Sequence, residues 1–87
     1  MRRILPVTDP ETGKTEYLLF DTDTSELIYT DNEQRRQYYM TKSRRFFVVY
    51  RTGEMWVKTE DEMKQILGAT EEGVEVYIRI FLSPKEA

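Results

Sequence analysis

Five consecutive residues, Phe46-Phe47-Val48-Val49-Tyr50, constrain this chain more than any other stretch. Successive side chains of a strand point to opposite faces. Phe46, Val48 and Tyr50 therefore face one way, and Phe47 and Val49 the other. A strand that is apolar on both faces belongs in the middle of a sheet, covered on both sides. Thr52-Gly53 after it is a tight hairpin signal, and Glu54 to Lys58 supplies the returning strand.

The rest of the chain is read around that strand. Arg3 to Val7 can form a first strand, with Pro6 suggesting an edge position. Asp9-Pro10-Glu11-Thr12-Gly13-Lys14 is a turn, since Pro10 presets φ, Gly13 tolerates positive φ and Asp9 can bond its own backbone. Thr15 to Asp21 reads as a second strand and Leu27 to Thr30 as a third, joined by a turn over residues 21–26 that echoes the first. These make an antiparallel meander. Thr30-Asp31-Asn32-Glu33 fits a capping box and predicts a helix running to about Thr41. Thr59-Glu60-Asp61-Glu62 is a second capping box, with three acids where the helix dipole favours them. Met63, Ile66 and Leu67 give a helical stripe behind it, which Gly68 is placed to end. Val74 to Leu82 alternates cleanly and predicts a last strand. The expected order is β-β-β-α-β-β-α-β: an α+β fold, a small mostly antiparallel sheet with two short helices packed on it.

With 87 residues the chain has room for one small globular domain, residues 1–87. It is 39% hydrophobic and 33% charged, a globular rather than a disordered composition. It contains no cysteine and no histidine. Disulfides, thiol nucleophiles and thiolate metal sites are excluded, together with the usual neutral-pH base and the commonest metal ligand. No apolar run is long enough for a membrane span, and the apolar part of the N-terminus, Ile4 to Val7, is too short for a signal peptide. The expectation is a soluble, cytoplasmic protein with no membrane partner.

Charge is unevenly placed. The net value is −3, yet the segment from Arg35 to Arg51 holds six basic residues and no acidic one. Such segregation says more than the total. If a helix ends and a strand begins within it, Arg35, Arg36, Tyr38, Tyr39, Lys42, Arg44 and Arg45 become a candidate binding cluster at the junction. Arginine beside tyrosine suits an acidic protein surface by charge pairing, or phosphate and single-stranded nucleic acid by pairing plus stacking. The plainer reading is a half-solvated helix followed by a core strand. Trp56, Tyr77, Arg79 and Phe81 form a second candidate, an interface that could serve a homodimer if the last strand leaves one face uncovered. Their plainer reading is core packing or partial cover.

Two motif resemblances fail on inspection. Arg44-Arg45-Phe46-Phe47-Val48-Val49-Tyr50-Arg51 lacks the glycines of the RNA-recognition motif, and its adjacent phenylalanines point to opposite faces. Asp21-Thr22-Asp23-Thr24-Ser25 begins like a calcium loop, but position six is Glu26 rather than glycine and position twelve is Asn32 rather than glutamate. No metal ligand set, cofactor motif or phosphate-cradling glycine loop is present. Ser25, Ser43 and Ser83 have no histidine to activate them. The sequence therefore points to a non-enzymatic binding or regulatory protein whose basic cluster meets an acidic protein surface. A nucleic-acid-binding module using the same residues is the alternative, and a carboxylate-dependent hydrolase is a distant third.

Overall fold

The computed structural model describes all of residues 1–87. Its elements are β1 (Arg2–Thr8), β2 (Thr15–Asp21), β3 (Glu26–Asp31), β4 (Arg36–Met40), β5 (Phe46–Tyr50), β6 (Met55–Lys58), α1 (Glu60–Gly68) and α2 (Glu71–Phe81). β1 and β2 form a two-stranded antiparallel sheet, and β3-β4-β5-β6 form a four-stranded antiparallel sheet in chain order. No helix is long and apolar enough to cross a membrane.

The double-faced strand behaves as its sequence requires. Phe46, Phe47, Val48 and Val49 of β5 are all buried. Phe46 and Val48 pack with Ile28, Tyr38, Met63, Leu67 and Ile80 on the helix side of the sheet. Phe47 and Val49 pack with Phe20 and Met55, flanked by Leu5, Val7 and Leu18, on the other side. The result is three layers: the β1–β2 hairpin, the four-stranded sheet and the helix pair. Each face of β5 has its own cover.

The α+β class, the antiparallel pairing and the two helices agree with the sequence reading, but two elements exchange type. Residues 36–40 form strand β4 where a helix was expected, and residues 71–81 form helix α2 where a strand from Val74 to Leu82 was expected. Both exchanges have a local cause. Asp31 Oδ1 accepts from the backbone N–H of Glu33 at 3.1 Å and of Gln34 at 3.2 Å. A side-chain oxygen taking backbone N–H groups two and three residues on serves a helix N-cap and an Asx turn equally. Asp9 and Asp21 make the same bond to Glu11 and Asp23, each at 2.9 Å. The third turn thus repeats the first two, and no helix follows it.

In α2, Gly73, Val76, Tyr77, Ile80 and Phe81 are buried or half-buried, a spacing of i, i+3, i+4, i+7, i+8. The same segment also alternates, so both periods fit it. Thr70 decides between them as N-cap, its hydroxyl accepting from the Gly73 N–H at 3.0 Å. The meander is corrected too. β3 pairs with β4 and not with β2, so the first hairpin is a separate layer.

The second capping box forms as expected. Thr59 Oγ1 accepts from the Glu62 N–H at 3.1 Å, and Glu62 Oε1 accepts from the Thr59 N–H at 2.9 Å. That second bond holds the Glu62 carboxyl below its ordinary value of 4.5, with Lys58 adding a smaller push the same way. A lowered folded value means the carboxylate's stabilising effect is present above about pH 4.5 and fades as pH falls through the folded value. Thr59→Ala is expected to cost about 1 kcal/mol in urea denaturation at neutral pH. Glu62→Gln should flatten part of the acid-side loss of stability; an unchanged slope would show that the box does not titrate with folding.

Candidate functional site

Tyr38 and Tyr39 are neighbours on β4 and point to opposite faces. Tyr38 is buried in the helix-side core, and burial raises its hydroxyl above the ordinary tyrosine range despite the opposing effect of Arg36. Tyr39 lies on the hairpin side, stacked on Phe47 at 5.2 Å with 12° between the ring planes. The Tyr38 ring is closed to a ligand, and the half-buried Tyr39 ring already has one face on Phe47.

The basic residues divide between the two ends of the sheet. Arg35 and Arg36 sit where the β3–β4 turn enters β4, and Lys42, Arg44 and Arg45 lie in the β4–β5 turn and at the entry to β5. The five residues of β4 separate them by roughly 17 Å. The expected convergence at one helix–strand junction does not occur, because there is no helix there.

At the β4–β5 end Arg44 is already engaged. Arg44 Nη2–H donates to the Ile80 carbonyl at 2.8 Å and so caps the last turn of α2. The depression beside it, lined by Lys42 and Arg44, is also lined by Asp23 and Glu26. Mixed charges leave little net field there.

The other end is different. The β5 register sets Tyr50 opposite Arg36, so the turns that flank this pair, β3–β4 and β5–β6, lie side by side. Arg35 and Arg51 come together there around a groove of about 500 Å³, also lined by Met1, Thr30, Asn32, Gln37, Val49, Tyr50 and Gly53. No carboxylate lines it. The three ion pairs of the chain, Lys58–Glu62, Lys64–Glu60 and Arg79–Glu26, leave both arginines unpaired. On the rim, the Arg36 guanidinium lies 4.9 Å over the Tyr50 ring. Arg35 adopts φ 56, a left-handed conformation that costs a residue other than glycine about 1–2 kcal/mol. A non-glycine residue at such a position, with no internal partner for its charge, invites a functional explanation.

Arg51 was not among the candidates drawn from the sequence. Once residues 36–40 are read as a strand paired with 46–50, the register alone brings Arg35 and Arg51 together.

The second candidate also separates. Tyr77 and Phe81 are four residues apart on α2 and pack edge to face at 5.3 Å, with Phe81 against Phe46 at 5.6 Å. Arg79 leaves on the other side and donates to Glu26 of β3 at 3.0 Å. These three residues join α2 to the rest of the fold and do not make one outer surface. Trp56 is the exception. It lies on edge strand β6 and is 57% exposed, its indole N–H donating to Glu54 at 3.2 Å.

Comparison with protein-family models, with curated proteins and with solved structures finds no match for this chain.

Proposed function

We propose that the chain is a small non-enzymatic binding protein that acts by protein–protein contact and holds an acidic segment of its partner in the Arg35–Arg51 groove. The acid-free lining of that groove carries the reading. Two unpaired guanidinium groups facing one depression suit carboxylates, which arginine can grip through two parallel hydrogen bonds. Trp56, on the strand that leaves the β5–β6 turn, supplies an exposed aromatic anchor of the kind such contacts use. Tyr38 is buried, Tyr39 is stacked on Phe47, and the one aromatic ring lining the groove, Tyr50, lies under the Arg36 guanidinium, which weighs against nucleic acid.

Exposed charge pairs contribute about 0–1 kcal/mol each, so binding should be weak and sensitive to salt. The test is fluorescence polarisation with a Glu/Asp-rich peptide and, separately, a single-stranded oligonucleotide. Arg35→Gly and Arg51→Gln are each expected to weaken peptide binding several-fold, and Lys42→Gln to leave it unchanged. Arg35→Gly also relieves the left-handed strain, so stability should hold within about 1 kcal/mol while binding falls. Peptide affinity indifferent to both arginines overturns the proposal. Salt-sensitive binding of the oligonucleotide alone would replace it with the nucleic-acid reading.

A further inference from the structure

The β1–β2 hairpin covers the four-stranded sheet with one face only. Leu5, Val7, Leu18 and Phe20 point inward. The opposite face presents Ile4, Tyr17 and Leu19, which are 67%, 73% and 60% exposed, together with exposed Pro6. These four are adjacent, because Ile4 pairs with Leu19 and Pro6 with Tyr17 in the hairpin register. An apolar row with nothing over it, on a chain with a net charge of −3 and 33% charged residues, is a departure from an ordinary surface.

The register also says what fits it. Arg2 pairs with Asp21 at one end of this face and Thr8 with Thr15 at the other. Consider a second hairpin laid face to face about a two-fold axis parallel to the strands. Every residue of β1 then meets the copy of its own cross-strand neighbour. Arg2 meets Asp21 of the second copy, and Asp21 meets its Arg2. Ile4 meets Leu19, Pro6 meets Tyr17, and Thr8 meets Thr15. Both charged contacts are complementary and both apolar pairs are covered. An axis across the strands would instead set Arg2 and Asp21 against threonines. The first arrangement is isologous and closed, as stable two-fold dimers are, and it stacks two sheets as in an aligned sandwich.

We propose that the outer face of the β1–β2 hairpin is a homodimer interface, in which Ile4, Pro6, Tyr17 and Leu19 pack against the same residues of a second copy and Arg2 pairs with its Asp21. It uses none of the residues that line the Arg35–Arg51 groove, so the two proposals are tested by different variants. A face two strands wide is at the small end for specific interfaces, and the dimer should dissociate in the range of ~10–100 µM.

Analytical ultracentrifugation from about 5 µM to 1 mM should show a monomer–dimer equilibrium. Leu19→Glu and Tyr17→Lys change only exposed side chains, and each should weaken the dimer at least tenfold while far-UV circular dichroism stays native. Arg2→Asp should weaken it by setting two aspartates together, and Arg2→Asp with Asp21→Arg should restore it. In a mixed sample of labelled and unlabelled chains, isotope-filtered NMR should find contacts between the Ile4 and Leu19 methyl groups of different copies. A wild-type monomer across the whole range overturns the proposal. So does a dimer indifferent to folded Leu19→Glu and Tyr17→Lys variants, which would place the interface elsewhere.

Discussion

Phe47→Ala is expected to cost about 3–5 kcal/mol, an appreciable fraction of the 5–15 kcal/mol that holds a typical domain together. Phe47 is fully buried, edge to face with Phe20 at 5.4 Å and stacked on Tyr39. It is the point where three parts of the chain meet: Phe20 from the hairpin, Tyr39 from β4, and β5 itself. Truncation removes the aromatic contacts and leaves a void between two layers that cannot easily collapse.

The loss should not fall evenly. The hairpin and the four-stranded sheet share no strand pairing, so side chains such as Phe47 are what dock one on the other. A two-stranded hairpin alone is marginal in water. Amides of β1 and β2 should therefore lose hydrogen-exchange protection before those of β4 and β5. Val48→Ala, on the helix side, should leave the hairpin better protected than Phe47→Ala does. A cost under about 1.5 kcal/mol, with the hairpin still protected, would contradict the layered core.

What the sequence made legible was set by how many physical readings each segment allowed. Phe46 to Tyr50 allowed one, because a run this short, β-branched and aromatic throughout and closed by the Thr52-Gly53 turn suits a strand covered on both sides better than a buried helix. The Thr59 capping box was legible for a related reason: its stripe, Met63, Ile66 and Leu67, has no competing period. Residues 31–41 allowed two, since an Asx turn and a helix N-cap use the same side-chain bond. Residues 74–82 also allowed two, since an apolar-rich run fits both a period of 2 and a period of 3.6. The seven-residue basic cluster fell with the first of these. On a helix Arg35 and Tyr39 would have shared a face; on a strand Tyr38 and Tyr39 part company, and Arg35 meets Arg51 instead. The uncovered hairpin face was signalled as well, by apolar residues on both faces of Thr15 to Asp21. Reading that strand as part of a meander put the signal out of sight.

The helix pair provides the second large effect, through a comparison of two glycines. Gly73, in the first turn of α2, is buried, and a Cβ there would stand 2.2 Å from the Leu67 carbonyl oxygen and 2.9 Å from its carbonyl carbon. Both atoms are backbone, so no rotamer change clears them. Leu67 is itself fully buried in the helix-side core, and α1 cannot shift without disturbing its contacts with Val48 and Ile80. At Gly68, the last residue of α1, a Cβ would meet nothing within 4 Å. Alanine is a better helix former than glycine by up to about 1 kcal/mol, which applies at both positions. Gly68→Ala should accordingly be neutral to stabilising. Gly73→Ala should be destabilising by about 1–3 kcal/mol after that gain is subtracted, a drop of very roughly 5–20 °C in Tm for a domain of this size. The opposite signs are the point of the comparison, because propensity alone predicts the same sign for both. If Gly73→Ala melted higher than wild type, as Gly68→Ala should, the close approach of α2 to the end of α1 would be wrong. With it would go the placement of Ile80 over the sheet and the Arg44 cap on the last turn of α2.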